Sequence, residues 1–258
     1  MERLSTELQK VGYHVLVFLA PVSTVNVDQV VHELMDYQVD GIVMASVSMS
    51  SDLAARCHAT GIPVVLFNRT HLDTRLSSVT SDNAKGGRML ADYLVSLGHE
   101  KIAYVAGFSG ASTQIDREAG FRAGLKAAGK KLFARAEGNF NYPDAQRAAR
   151  ELFATPNRPD AVFVANDHMA FAVMDVLRFE LGLRVPQDVS VVGFDDVPPA
   201  AWPAYNLTTV RQHVDQMVAE TVQLLISSIS EGHGISKHVV LDGGLIIRGS
   251  TRKHGSAE

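Results

Sequence analysis

Ala161-Val162-Phe163-Val164-Ala165-Asn166-Asp167-His168-Met169-Ala170 and, further on, Val189-Ser190-Val191-Val192-Gly193-Phe194-Asp195-Asp196 share one pattern. Each is a short apolar run, rich in β-branched residues, that opens onto a polar tip. Such runs read as buried strands. The two strands deliver amide and carboxylate side chains to the same edge. In an open α/β sheet the carboxyl ends of strands are where ligands bind, because loops and helix N-termini converge there and leave a crevice. The pattern therefore points to recognition of a small polar molecule.

Outward from this stretch, strand and helix signals alternate. Strand-like runs fall at His14 to Leu19, Gly41 to Ala45, Pro63 to Phe67, Lys101 to Ala106, Ala161 to Ala165, Val189 to Gly193 and His238 to Leu241, bounded mostly by Gly, Pro or Asp. Helical spacing joins Val27, Val30, Val31 and Leu34, and again Met89, Leu90, Tyr93, Leu94 and Leu97. Gly61, Gly98, Gly129 and Gly182 each follow an apolar-periodic stretch, as residues just past a helix end do. This alternation predicts a parallel sheet covered on both faces. The passages Leu97 to Val105 and Leu181 to Val189 both run from helix to strand, which favours two lobes over one closed barrel; composition alone leaves both open.

Bulk properties narrow the class. The chain has 258 residues, 46% of them apolar and 20% charged, enough for a normal core and for two small domains. Its net charge is −4 with no basic block, so it lacks the electrostatic footprint of a DNA-binding surface. Cys57 is the single cysteine, which excludes an internal disulfide and fits a reducing compartment. Neither a spanning helix nor a signal peptide is visible, and the sequence reads as that of a soluble, cytoplasmic protein without membrane contact.

The string LRVPQDVSVVGFDD (183 to 196), followed by LTTVRQ (207 to 212), closely resembles the effector-binding half of lac-repressor-family (LacI/GalR) transcriptional regulators. The resemblance continues through Phe67-Asn68-Arg69, Ser78 to Asn83, Gly86-Gly87, Leu97-Gly98-His99, Ile102 to Gly107, Ser112-Thr113, Arg117 and Gly120-Phe121-Arg122, covering nearly the whole chain. It implies a periplasmic-binding-protein-like α/β fold: two Rossmann-like lobes with parallel sheets, joined by three crossings. The N-terminal lobe would comprise residues 1–80 and 211–240, the C-terminal lobe residues 81–210 and 241–258. The family's mechanism implies population shift, in which an effector favours one lobe orientation and so alters the spacing of DNA readers in a homodimer. Leu53, Ala54 and Cys57 offer apolar helix surface to such a dimer. The family also implies an N-terminal helix-turn-helix domain as the operator-reading part, absent from this chain, and a first core strand ahead of Glu7 to Val15. The expectation is that the strands flanking that missing one close up, pair elsewhere or lose order.

The resemblance also assigns ligand-binding positions. Arg117 follows Gly107 to Ser112 on a helix, where a guanidinium could donate forked hydrogen bonds to hydroxyls or a carboxylate; read from the residues alone, it is a solvated helical Arg paired with Asp116 or Glu118. Asp195 could accept two hydroxyl hydrogen bonds, or form an Asx turn before Pro198; Asp196 is the turn or cap residue. Asn166 is a ligand contact or an N-cap, and Asp167 a cap or first-turn acid. Phe140, in an Asn-rich loop, is an aromatic platform or a loop anchor packed under the lobe. Thr113 and Ser112 bind ligand or cap the Arg117 helix, capping being the safer reading. Asn68 and Arg69 stand where the family often has Asp-Arg, so the cleft loses a charge; Ser46 completes the set.

Catalytic and metal readings find no support. The ten His residues show no metal-ligand spacing, and Cys57 has no placed base. Gly107-Phe108-Ser109-Gly110 follows a strand but lacks the spacing of a phosphate loop. The expected ligand is therefore a sugar, a sugar acid or a purine-like effector, bound without cofactor, metal or turnover. The alternative within the same fold is the solute-binding protein of a sugar transporter.

Overall fold

The structure, a computed structural model, describes residues 2–19, 37–45, 59, 61–71, 76–231 and 236–253. In chain order these residues form α1 (Glu2–Lys10), β1 (Ile42–Ala45), β2 (Val64–Phe67), β3 (Ser77–Ser81), α2 (Asn83–Ser96), β4 (Ile102–Ala106), α3 (Ser112–Ala127), β5 (Ala134–Glu137) and α4 (Tyr142–Phe153). There follow β6 (Ala161–Val164), α5 (Asp167–Asp175) with a π-helical turn (Val176–Glu180), β7 (Ser190–Asp195), a 3-10 turn (Pro198–Ala201), β8 (Thr208–Arg211), α6 (Val214–Glu231), β9 (His238–Leu241) and β10 (Gly244–Ile246). The chain divides into two compact units, Met1–Ser81 with His213–Leu241 and Asp82–Gln212 with Asp242–Glu258. The helical run from Val27 to Leu34, Ser46, and the apolar face of Leu53, Ala54 and Cys57 lie outside the described residues.

In the first unit the strands order as β1-β2-β3-β9, all parallel. Leu4 and Leu8 of α1 pack with Val65, Val79, Met217, Val218, Leu224 and Leu225 into one core. The run His14 to Leu19 does not form the strand its composition predicts. The reason is pairing: β1 is hydrogen-bonded to β2 on one side and, among the described residues, to nothing on the other. An apolar run without a ladder has unmatched backbone groups that only water can satisfy. Accordingly Leu16, Val17 and Leu19 are exposed, while Tyr13 and Val15 lean on the core.

The second unit carries a six-stranded sheet ordered β10-β8-β7-β6-β4-β5, parallel except for the antiparallel edge strand β10. β6 is buried along its whole length, as a central parallel strand with helices on both faces must be. Tyr104, Phe121 and Phe163 form an aromatic cluster at its centre, with ring centroids 5.0 Å apart for both Tyr104–Phe163 and Phe121–Phe163. β3, β5, β8 and β10 fall outside the apolar runs read from the sequence. Ser77–Ser81 and Thr208–Arg211 are Ser/Thr-rich, and Ala134–Glu137 is an edge strand with one buried residue.

Two glycines inside helices set the position of α3. A Cβ on Gly87 of α2 would lie 2.2 Å from the Arg117 carbonyl oxygen, and one on Gly120 of α3 would lie 1.9 Å from that of Ala84. The helices therefore touch backbone to backbone, which only glycine permits. This close approach brings Arg117 over the ends of β6 and β7.

Candidate functional site

The carboxyl ends of β4, β6 and β7 converge in the second unit as parallel topology requires, and polar side chains meet there. Arg117 is 2% exposed, so the reading of it as a solvated helical arginine is overturned. Its Nε donates to Asn83 Oδ1 at 2.8 Å, its Nη1 to the Ala165 carbonyl at 2.6 Å and its Nη2 to Asp195 Oδ1 at 3.2 Å. The guanidinium also lies 3.7 Å from the centroid of the Phe194 ring. A cation this far from water is stable only with such saturation by acceptors, a counter-charge and a π face. Asn83 and Gln212 are members of the cluster that sequence reasoning did not single out; both lay within strings quoted for the resemblance.

Asp195 ends β7 at φ 119° and Asp196 follows at φ 57°, both in the left-handed half of backbone space. For residues with a Cβ such angles cost about 1–3 kcal/mol each, so the surroundings must hold this turn in place. Asp195 Oδ1 accepts from Arg117 and from Gln212 Nε2, while Oδ2 accepts no hydrogen bond among the described residues. Its carboxylate is 21% exposed. Burial pushes the Asp195 carboxyl above the usual range, and Arg117 opposes that shift. No Asx turn is made by Asp195. Asp196 is the structural partner, paired with Arg211 at 2.7 Å and Arg248 at 2.6 Å.

Asn166 caps α5: its Oδ1 accepts from the Met169 amide at 3.0 Å. The cap uses only the oxygen; the Nδ2 group donates to nothing among the described residues. Asp167, next in the chain, is wholly buried, its Oδ1 accepting from the Thr209 hydroxyl at 2.7 Å and its Oδ2 from the Val197 amide at 3.0 Å. It is thus more than a first-turn acid. Phe140 has φ 59° and its ring lies against Gly107 at the end of β4, where a Cβ would come within 2.1 Å of Cζ. It also packs on the core of the unit, partly buried. Thr113 is buried in the first turn of α3, but the N-cap is Ala111 and no side chain caps this helix. The capping role expected for Ser112 and Thr113 is therefore corrected: both sit inside the helix, past the cap position.

Gln114 ties the strand end to α3. Its Oε1 accepts from the Tyr104 hydroxyl at 2.9 Å and from the Gly107 amide at 2.6 Å, and its Nε2 donates to Glu118 at 2.8 Å. In the first unit Asn68 and Arg69 follow β2. Asn68 has φ 57° and a buried Oδ1 with no hydrogen-bond partner among the described residues, and Arg69 Nη1 donates to the Asn68 carbonyl at 2.8 Å. The structure thus gathers Arg117, Asp195, Asn166, Phe140 and Thr113 in one unit and Asn68 and Arg69 in the other.

Among the described residues no group of three or more His, Cys, Asp or Glu side chains is placed to hold a metal, and no helix is long and apolar enough to cross a membrane. The site offers hydrogen-bond acceptors and donors suited to a polar molecule.

Residues 91–251 match the model of the periplasmic binding protein-like domain, and the chain belongs to that family. It is 34% identical over 221 residues to the HTH-type transcriptional regulator CelR of Thermobifida fusca, covering 84% of this chain and 65% of that protein. A CelR–cellobiose complex superposes with a TM-score of 0.86 at 31% identity, over 96% of this chain and 76% of that one. The lac repressor dimer bound to operator and the anti-inducer ONPF does so with a TM-score of 0.85 at 25% identity, over 97% and 87%. These relatives are lac-repressor-type regulators, and this chain corresponds to their effector-binding core. It spans less than two thirds of the length of the curated CelR.

Proposed function

We propose that the chain senses a small polyhydroxylated molecule for a transcriptional regulator of the lac-repressor type. The observation that carries this reading is the Asp195 carboxylate, anchored through Oδ1 by Arg117 and Gln212 with Oδ2 left open at the strand ends. An ordered carboxylate with one unused oxygen, at the end of the strand next to the one that Asn166 follows, matches with the amide nitrogen of Asn166 the acceptor and donor faces of sugar hydroxyls. Arg117 is then an organiser of the acceptor rather than the hand that grips the ligand. Phe140 supplies the apolar surface on which a sugar ring or a purine can rest, and Thr113, Asn68, Arg69 and Ser46 complete the proposed contacts. The CelR–cellobiose complex supports a sugar-like effector.

Operator DNA is read, in this proposal, by a helix-turn-helix segment outside these 258 residues, whose own sequence has a net charge of −4 and no basic block. The protein works in the cytoplasm as a homodimer. Exposed aromatic side chains support the dimer: Phe179 is 81% and Trp202 56% exposed.

Native mass spectrometry of freshly purified protein, followed by calorimetry with cellobiose, ribose, glucuronate and hypoxanthine, tests the sensor reading. Reversible binding of one probe, recovered chemically unchanged, is the expected result. Conversion of the bound molecule would replace the reading with an enzyme.

A further inference from the structure

The turn that presents Asp195 needs a fixed support, and the buried acid beneath it has no charged partner to explain its presence. We propose that Asp167 is a positioning residue that holds the Asp195-Asp196-Val197 turn as a neutral carboxylic acid. This rests on the reading of Asp195 as an effector contact and adds the group that sets its geometry.

Three observations carry it. Asp167 is 0% exposed and forms no ion pair among the described residues. An ionised carboxylate there would be desolvated without a cation, and nearby charge is of the wrong sign. The groups facing it are the Asp195 and Asp196 carboxylates from the end of β7 and the Thr209 hydroxyl from β8. Arg117, on α3, is taken up by Asp195, and Arg211 and Arg248 by Asp196; His168, next along α5, acts on Asp195. Second, both of its hydrogen-bond partners are neutral: the Val197 amide, 3.0 Å from Oδ2, and the Thr209 hydroxyl, 2.7 Å from Oδ1, donate to the carboxyl but supply no counter-charge for a buried carboxylate. Third, the bond to Val197 falls immediately after the two residues at positive φ, where an unanchored backbone would relax. Burial, reinforced by Asp195, pushes the Asp167 carboxyl up to about 8.

The sign of the pH dependence follows. In the unfolded chain the carboxyl ionises near the ordinary value of about 4, whereas in the folded protein it keeps its proton to a much higher pH. The folded state therefore binds the extra proton, and its stability falls as pH rises from about 4 to about 8. Asp167→Asn copies the neutral acid: its carbonyl can accept from Val197 and its amide can donate to Thr209, with no proton to lose.

The test compares the full chain with its Asp167→Asn variant by thermal melting between pH 5 and 9. The variant's melting temperature should rise relative to the parent's by several degrees between pH 5 and about 8, and the gap should then hold to pH 9. A difference that stays constant across the range overturns the neutral acid. Hydrogen exchange then reads the positioning: Asp167→Asn keeps the Val197 amide protected, and Asp167→Leu exposes it while the amides of Val162 and Phe163 stay protected. Val197 protection that survives in Asp167→Leu, or is lost in Asp167→Asn, overturns the positioning role. If Asp167→Leu does not fold, the Asn variant still decides both points. None of these readouts uses a ligand, so their failure leaves the effector reading of Asp195 standing, and failure of that reading leaves them intact.

Discussion

β6 and the run His14 to Leu19 are near twins in composition, apolar and β-branched, yet one is the buried centre of a six-stranded sheet and the other is irregular chain with Leu16, Val17 and Leu19 exposed. The difference lies in neighbours. β6 has β4 on one side and β7 on the other, so its backbone enters a ladder on both sides. The early run has no described partner beside it. Strand propensity is a statement about fitting a pleated, half-buried surface, and without that surface it has no force. The two units also differ in their polar interiors: the second gathers the ionisable groups Arg117, Asp195 and Asp167 at one end of the sheet, where ligand contact is proposed.

The largest effect expected from this contrast is at Arg117. Arg117→Met keeps the bulk over Phe194 but strands Asn83, the Ala165 carbonyl and the Asp195 carboxylate. Removing one partner of a buried pair costs roughly 3–5 kcal/mol. Urea unfolding followed by circular dichroism measures it. A loss below about 1 kcal/mol would mean that the second unit does not depend on this cluster as its burial implies.

Asp195→Ala sharpens the comparison in function instead. Arg117 retains Asn83 and the Ala165 carbonyl, so the fold loses less than in Arg117→Met. Effector hydroxyls lose their charged acceptor, and affinity falls by roughly 2 to 4 kcal/mol. Calorimetry with the probe that binds the unaltered protein is the measurement, and unchanged affinity with an intact spectrum removes Asp195 from the site. Smaller again is Gly120→Ala. The new Cβ meets the Ala84 carbonyl 1.9 Å away, which is rigid backbone, so α2 and α3 must separate. Overpacking of this kind costs about 1–3 kcal/mol. A variant as stable as the parent would show that the helices can part freely.

How much of this was legible depended on the range of the interaction. The apolar runs at Ile102 to Ala106, Ala161 to Val164 and His238 to Leu241 announced their strands, and the polar tips Asn166 and Asp195 announced the edge that matters, because both signals are local. Ser77–Ser81 and Thr208–Arg211 were hidden because a strand lined by Ser and Thr carries little apolar signal, and their partners lie far along the chain. Arg117 was found by resemblance, but its burial was not legible. The acceptors that saturate it sit at Asn83, Ala165 and Asp195, and no spacing rule along one helix connects them. Gly87 and Gly120 were a signal available in the sequence: two glycines in the middle of neighbouring helical patterns mark a backbone-to-backbone contact.

The smallest effect tests the comparison where it began. Val17 is 55% exposed in a run that forms no ladder, so Val17→Thr removes little buried apolar surface and breaks no packing. Substitutions at such positions usually change stability by less than about 0.5 kcal/mol. The same Val-to-Thr change at Val162, fully buried in β6, places a hydroxyl in a dry core and costs about 1–3 kcal/mol in desolvation alone. Thermal melting of the two variants side by side, at one pH and concentration, measures the gap directly. Equal losses would show that His14 to Leu19 is paired and buried in solution, and that the irregular path of this segment is not the one the protein adopts.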